Sequence, residues 1–170
     1  MNPLSRFLLH KPIIEDRIIK KVKKKKAVVY GRQAMNAQLP FYLQAKTTDY
    51  DIYARKPKAF ADETQKELDS VVGSNDFYTK PAIHKGTFRV MNVGSDSRKG
   101  TEDDFGIVDV TTPKRTIKVK KVRRINVETL PSIVRGKKKI LQDPKSYYRH
   151  HKDEQDLERI KFKKVLINRR

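Results

Sequence analysis

Three aspartates in strand-like surroundings are the residues of this chain best suited to chemistry. Asp49 and Asp51 lie in the segment TTDYDIYA, and Asp109 lies in the segment FGIVDV. Because side chains alternate along a strand, Asp49 and Asp51 are expected on one face. Strand interiors are depleted in aspartate, and burying like charges together is costly without a cation. If the two strands are neighbours, the three carboxylates can bind Mg²⁺, and a pair of ions would serve phosphoryl displacement.

A glycine turn precedes the first two aspartates. Ala27–Tyr30 predicts a short buried strand, and Gly31 permits a tight turn into a helix over Arg32–Leu39 that Pro40 ends. Backbone amides at the helix start and the Arg32 guanidinium could bind the β- and γ-phosphates of a nucleotide. This layout predicts a site for a metal-bound polyphosphate. Asp109 taken alone would more often be a surface residue on an exposed strand face.

The elements that must position these residues alternate between helices and strands, which predicts an α+β class with a mixed sheet. Lys114–Arg124 could be a strand or a basic connector. The other predicted helices are Pro12–Lys24, Lys58–Val72, Val127–Leu141 and Lys145–Leu166, and the other predicted strands are Thr48–Ala54, Asp76–Lys80, Thr87–Val93 and Phe105–Val110. From charge and pattern we expect a basic N-terminal helix or arm over 1–26, a core over 27–113 and a basic, mainly helical C-terminal unit over 114–170.

The charge of the chain is strongly basic and unevenly distributed. There are 40 Lys and Arg against 20 Asp and Glu, a formal net charge of +20 in 170 residues. Residues 1–30 carry +7, residues 31–113 carry −1 and residues 114–170 carry +14. Clustering of this kind is typical of proteins that contact phosphate backbones, so RNA or DNA is the expected partner. The alternative for any single run is a solvated lysine-rich face.

The residues predicted to contact nucleic acid are the cations of the basic runs. They are Lys23, Lys24, Lys25, Lys26, Arg123, Arg124, Lys137, Lys138, Lys139, Arg149 and Lys152. Tyr147 and Tyr148, beside Arg149, could stack on bases or could pack within a helix. The chain has no cysteine, and its four histidines lack the spacing of a zinc site. No apolar run approaches the ~20 residues that span a bilayer, so no membrane association is expected.

The quoted segments resemble the nucleotidyltransferase-fold superfamily of DNA polymerase β and the poly(A) polymerases. VVYGRQAMN, TTDYDIYA and FGIVDVTT correspond to the family's turn, its Asp-x-Asp strand and its third aspartate strand. The chain is most similar to compact versions in large DNA viruses and some phages. The resemblance covers residues 27–112 well and extends weakly through YRHHKD at 148–153.

The resemblance implies roles for the three aspartates. Asp49 and Asp51 would bind two Mg²⁺ ions, and Asp109 would be the third ligand and would activate the attacking hydroxyl. An NTP would be the substrate. The turn departs from the family pattern of two small residues, since Tyr30 stands at the first glycine, or Arg32 at the second if the register is shifted by one. A bulky residue there could obstruct the triphosphate.

Three hypotheses follow for function. The first is an enzyme that transfers a nucleoside monophosphate from an NTP to an RNA, DNA or other hydroxyl acceptor. The second is a catalytically inactive protein of the same fold that binds nucleic acid or has a structural role in a virion. The third is an unrelated ribosome-associated or chromatin-like basic protein, in which the three aspartates would lie far apart. The expected location is the cytoplasm, or the host cytoplasm or virion if the protein is viral. The sequence does not predict an oligomeric state.

Overall fold

A seven-stranded mixed sheet is the centre of the structure, a computed structural model that describes residues 1–167 and the side chains of residues 1–165. The strands are β1 (Val28–Tyr30), β2 (Tyr50–Tyr53), β3 (Phe77–Pro81), β4 (Phe88–Asn92), β5 (Phe105–Thr111), β6 (Val119–Val122) and β7 (Ile125–Glu128). The helices are α1 (Pro3–Lys24), α2 (Gly31–Asn36), α3 (Pro57–Val72), α4 (Leu130–Leu141) and α5 (His150–Ile167), with 3₁₀ turns at Phe41–Leu43 and Pro144–Arg149. The predicted α+β class is confirmed.

The strand order is β3-β4-β5-β2-β1-β7-β6. β2 runs parallel to β5 and β1 runs parallel to β7, whereas the other neighbouring pairs are antiparallel. The sheet therefore places β2 between the glycine turn that follows β1 and the aspartate of β5. This adjacency is the condition that the predicted carboxylate site required.

One face of the sheet is covered by α1 and α3, which pack against each other. Ile14, Ile18 and Val22 of α1 are almost fully buried, as are Ile52 of β2 and Val108 of β5. Burying each such side chain contributes about 1.5–3 kcal/mol. Because residues alternate along a strand, the neighbours of Ile52 and Val108, which are Asp51 and Asp109, project from the other face.

The N-terminal helix is longer than predicted. It begins at Pro3, after Asn2, whose side-chain oxygen accepts a hydrogen bond from the Ser5 amide at 2.8 Å. Pro12, expected in the first turn, lies inside this helix. An asparagine N-cap satisfies one free amide of the first turn, and this cap together with the burial of Phe7 and Ile14 offsets the cost of a proline inside the helix.

Four other boundaries differ from expectation. Asp49 lies just before β2 and not inside it, and α2 ends at Asn36. Residues 125–128, partly assigned to a helix, form the strand β7, and α4 begins at Leu130. The helix predicted from Lys145 is a 3₁₀ turn as far as Arg149.

Packing crosses both predicted domain boundaries. α1, from the predicted N-terminal arm, supplies core residues, and β7, from the predicted C-terminal unit, pairs with β1. The last three residues of that unit lie outside the described residues. In the part of the chain that the structure describes, no helix has both the length and the apolar character needed to span a membrane.

Candidate active site

Asp51 and Asp109 are direct neighbours across β2 and β5. The register pairs Asp51 with Asp109 in this parallel ladder and pairs Asp51 with Tyr30 across β1. Paired residues of adjacent strands project to the same face, so both carboxylates lie on the face away from α1 and α3. Asp49, two residues before Asp51, accepts a hydrogen bond from the Thr47 hydroxyl at 3.0 Å. The arrangement contradicts the hypothesis that placed these aspartates far apart.

Asp51 is a carboxylate under electrostatic stress. Burial, together with the charges of Asp49 and Asp109, raises the pKa of Asp51 to about 7, although Lys152 and Arg149 act in the opposite direction. Among the described residues, no group donates a hydrogen bond to its carboxylate. A half-buried, unpartnered carboxylate beside two others is the environment that a bound cation would relieve.

Gly31 makes the tight turn beside Asp51 possible. Its φ is +65°, in the left-handed region where residues with a Cβ are strained. A Cβ on Gly31 would overlap the Oδ2 atom of Asp51 and would lie 3.0 Å from Cγ. The backbone therefore approaches the carboxylate as closely as only glycine allows. Gly31 begins α2, with Tyr30 before it at the end of β1 and Arg32 after it in the helix.

Tyr30 ends β1 and projects to the same sheet face as its partner Asp51. Its ring stacks on Tyr53 of β2 with the ring centroids 3.8 Å apart and an interplanar angle of 10°. Burial and the neighbouring Asp51 raise the pKa of the Tyr30 hydroxyl, so it remains neutral. The stacked pair lies on the sheet face that carries Asp51.

Asp109 is held by an arginine that the sequence analysis did not identify. Arg89 of β4 lies opposite Asp109 in the register, and its Nε and Nη2 atoms donate to the two carboxylate oxygens at 2.8 Å each. The Arg89 side chain is 43% exposed and that of Asp109 is 16% exposed. The ion pair, which is open to solvent on the arginine side, neutralises the third carboxylate without closing the site.

Arg32 is engaged in a buried ionic network. Its Nε atom donates to Asp156 of α5 at 3.0 Å. Lys137 of α4 contacts both Asp156, at 2.8 Å, and Asp153, at 2.5 Å, and Arg149 donates to Asp153 at 2.9 Å. Asp153 and Asp156 are fully buried. The network joins the glycine turn to α4 and α5, so the C-terminal helices position the site.

Two predicted cations lie on the carboxylate side of the molecule. Arg149 and Lys152 both lower the pKa of Asp51 through their charge. Lys152 is exposed, and Arg149 is half-buried against Asp153. Tyr147 and Tyr148, which precede them, are 79% and 73% exposed, and the Tyr147 ring meets the His150 ring edge-on with the centroids 6.3 Å apart. Arg149 and Lys152 therefore offer positive charge to the carboxylates, and the exposed tyrosines precede them in the chain.

The other predicted nucleic-acid contacts differ in exposure. Lys137 is buried and its ammonium is used inside the fold. Lys25 is exposed but paired with Glu63 at 2.7 Å. The remainder are exposed: Lys23, Lys24, Lys26, Arg123, Arg124, Lys138 and Lys139.

The carboxylate site fits a divalent cation in part. Asp49 and Asp51 supply hard oxygen ligands, and the stressed, unpartnered Asp51 carboxylate gains from a cation. Asp109 can join them only when Arg89 releases it. In residues 1–165 one trio of carboxylates has oxygens that all lie within 4.8 Å of one another, and it consists of Asp96, Asp103 and Asp104 of the exposed loop before β5. Asp103 there already accepts hydrogen bonds from the Ser95 and Asp96 amides.

Comparison with known proteins identifies the fold. The chain is similar to the Megavirus polyadenylate synthase, with a TM-score of 0.69, 16% identity, and coverage of 89% of this chain and 31% of that chain. It is also similar to JHP933 from Helicobacter pylori, with a TM-score of 0.52, 15% identity, and coverage of 82% of this chain and 58% of that one. The chain thus spans about a third and somewhat more than half of these two structures.

The comparison rests on structure. No protein-family model matches the chain, and no curated protein matches its sequence. A polyadenylate synthase is a nucleotidyltransferase. The structural similarity to that enzyme covers 89% of this chain. The mixed sheet that places a glycine turn beside neighbouring aspartate strands therefore has the nucleotidyltransferase-like fold.

Proposed function

We propose that the chain is a metal-dependent nucleotidyltransferase that acts on a nucleic-acid hydroxyl. The observation that carries the proposal is the register that makes Asp51 a neighbour of both Asp109 and the Gly31 turn. Asp49 and Asp51 would hold Mg²⁺, and Asp109 would complete the set. When bound, the cation would neutralise charge on the triphosphate and on the leaving pyrophosphate.

The residues around the carboxylates supply the other requirements of the reaction. The amides at the start of α2 and the cations Arg149 and Lys152 would orient the phosphates of the NTP. The acceptor hydroxyl oxygen attacks the α-phosphorus, a new P–O bond forms, and the bond to the β-phosphate breaks to release pyrophosphate. The hydroxyl proton passes to the carboxylate of Asp109.

Arg89 sets a condition on this mechanism. Asp109 cannot accept a proton or bind a cation with both oxygens while Arg89 holds them at 2.8 Å. The exposed side of Arg89 gives the guanidinium room to turn away, and a triphosphate would offer it a new anionic partner. Release of Asp109 would thus be coupled to substrate binding.

The proposal is tested by incubating the protein with labelled NTPs, Mg²⁺ and RNA or DNA acceptors. Wild type should extend an acceptor, and Asp51→Asn should lose at least about a hundredfold of this activity because charge stabilisation at the reacting phosphate is lost. Glu102→Gln, an exposed acid before β5, is the matched control and should retain full activity. No incorporation by wild type with any acceptor, or equal incorporation by Asp51→Asn, would reject the proposal.

Two ion pairs favour a second candidate, a non-catalytic protein of the same fold that binds nucleic acid. Arg89 neutralises Asp109, and Arg32 is directed to Asp156 and not toward a phosphate position. This candidate predicts nucleic-acid binding without incorporation, and no effect of Asp51→Asn on that binding. The same set of assays separates the two candidates.

A further inference from the structure

The end of the sheet remote from the carboxylates gathers basic side chains from three adjacent strands. In the register, Val28 of β1 lies beside both Tyr53 of β2 and Asn126 of β7. Lys26 precedes Val28 by two residues, Arg55 follows Tyr53 by two, and Arg124 precedes Asn126 by two. Strands lie about 4.8 Å apart, so β2 and β7 are separated by roughly 10 Å and the three cations extend past the same end.

We propose that this end of the sheet binds the phosphate backbone of nucleic acid. The surface, called here the basic end, consists of Lys23, Lys26, Arg55, Lys56, Arg123 and Arg124. All six side chains are exposed. Within the described residues, none of the six has a carboxylate within 4.0 Å. The nearby Glu63 is used by Lys21 and Lys25.

Three residues of the basic end have backbone conformations that are strained for a residue with a Cβ. Arg123 and Arg124 form the two-residue turn between β6 and β7 with φ values of 48° and 66°, and Lys26 has a φ of 52°. Two-residue hairpin turns of this kind favour Asn-Gly, because a Cβ is strained in the left-handed region. Among the described non-glycine residues with positive φ, three of four are these cations. Strain that persists at exposed charged positions indicates a function for the charges.

The chemistry of the basic end favours phosphate groups. Its six residues are all lysine or arginine, so positive charge is what they offer a partner, and phosphate carries the complementary charge. Unpaired cations close together repel one another, and a bound polyanion relieves that repulsion. Its binding is also favoured because counterions are released from its backbone. Binding at the basic end is therefore expected to be independent of nucleotide sequence.

The basic end is separate from the carboxylate site. Lys26 lies four residues before Tyr30, the partner of Asp51, which at about 3.3 Å per residue corresponds to roughly 13 Å along β1. A nucleic acid held at the basic end would thus be bound at a distance from the reacting atoms. The inference goes beyond the proposed reaction, since backbone binding here needs neither metal nor NTP.

The test is a double variant that improves the turn while removing two charges. Arg123→Asn with Arg124→Gly gives the hairpin its favoured turn residues, so the melting temperature should stay the same or rise. Affinity for a labelled RNA, measured by fluorescence anisotropy without NTP or Mg²⁺, should fall at least about tenfold at ~0.1 M salt. The slope of log affinity against log salt should fall by about 1.4–1.8 for two lost phosphate contacts.

Additional variants and ligands test whether the loss of RNA affinity comes from the basic end. Arg55→Gln with Lys56→Gln should weaken binding similarly, whereas Arg98→Gln with Lys99→Gln, an equal charge change in the loop before β5, should have little effect. Single-stranded RNA and duplexes of equal length should lose affinity by similar factors. Unchanged affinity of the turn variant, an equal loss in the Arg98/Lys99 control, or tighter binding to anionic phospholipid vesicles than to RNA would overturn the proposal. Anisotropy without NTP or Mg²⁺ tests this inference and nucleotide incorporation tests the proposed function, so failure of catalysis and failure of this inference are distinguishable.

Discussion

Replacing Asp51 with asparagine should stabilise the metal-free protein while removing its activity. The carboxylate lies beside Asp49 and Asp109, and burial together with these charges raises its pKa to about 7 from the ordinary value of 3.8. Asparagine has nearly the same shape and carries no charge. The variant therefore removes the like-charge repulsion and leaves the packing around Gly31 in place.

The size of the stabilisation expected for Asp51→Asn, and its dependence on pH, follow from proton linkage. Between about pH 4 and pH 7 the folded protein retains a proton on Asp51 that the unfolded chain has released, so stability falls as pH rises through this interval. The difference between a pKa of about 7 in the folded protein and 3.8 in the unfolded chain corresponds to about 4 kcal/mol at 1.36 kcal/mol per unit. This is the upper limit of the stabilisation, because water and side chains relax around the charge. The free energy of unfolding of Asp51→Asn should exceed that of wild type by up to this amount at about pH 8 and should nearly equal it at about pH 4.

Urea unfolding followed by circular dichroism, in the presence of a chelator, measures this gain at several pH values. Asp76→Asn is the matched control of opposite sign. Asp76 is buried, but Arg6 donates two hydrogen bonds to it at 2.6 Å each, and these bonds hold its pKa below the usual range. Its stabilising contribution is present above the unfolded pKa and is lost as pH falls, so Asp76→Asn should destabilise the protein near neutral pH.

Addition of Mg²⁺ completes the test. At about pH 8 the cation should stabilise wild type and narrow its difference from Asp51→Asn, because a ligand that binds only the folded state shifts the unfolding equilibrium. If Asp51→Asn is less stable than wild type without metal at this pH, the carboxylate is not under electrostatic stress. The assignment of Asp51 as a cation ligand would then lose its physical basis.

Three further substitutions test the surroundings of the site. Arg89→Gln should raise Mg²⁺ affinity about tenfold in calorimetric titration because it frees Asp109 from its bidentate partner, and unchanged affinity would count against competition by the arginine. Gly31→Ala should destabilise the protein by about 1–2 kcal/mol in urea unfolding and weaken metal binding, since the new Cβ is strained and overlaps a carboxylate; wild-type values for both would refute the close approach. Lys137→Met should lower the free energy of unfolding by about 3–5 kcal/mol, because it leaves buried carboxylates without their cation. Lys138→Met on the exposed side of α4 should change the free energy of unfolding by less than about 0.5 kcal/mol.

Local patterns predicted most of the elements, but not their pairing. Alternation of apolar and polar residues indicated β2 and β5, and Gly73 ended α3 in the left-handed conformation as expected. The order of strands, and hence the pairing of Asp51 with Asp109, depends on contacts between residues far apart in sequence. Such contacts leave no periodic signal.

The missed strand β7 shows how two patterns can conflict. The segment INVE is short and half polar, and its last two residues run directly into a helical pattern, so the predicted helix starts at Val127. Pro131 was the available signal, because proline favours the first turn of a helix and so indicates a later start.

The candidate site was partly accessible to sequence reasoning. Aspartates in apolar frames identified the carboxylates, because such positions are unfavourable without a compensating role. The pairing of Arg89 with Asp109 depends on the register of β4 on β5, which no local pattern indicates. Lys137 resembled one more residue of an exposed lysine run, yet it lies four residues after the buried Ile133 on the same helical face. That spacing was the signal of its burial.

Metal-dependent NTP binding tests the central claim most directly. Calorimetric titration of an NTP into wild type should show one binding site per chain in Mg²⁺ and a large loss of affinity in excess chelator. Asp51→Asn should show the same loss even with Mg²⁺ present, although it remains folded and at least as stable as wild type. Equal NTP affinity with and without Mg²⁺, or wild-type affinity of Asp51→Asn, would contradict the account of a carboxylate site built to hold a metal-bound nucleotide.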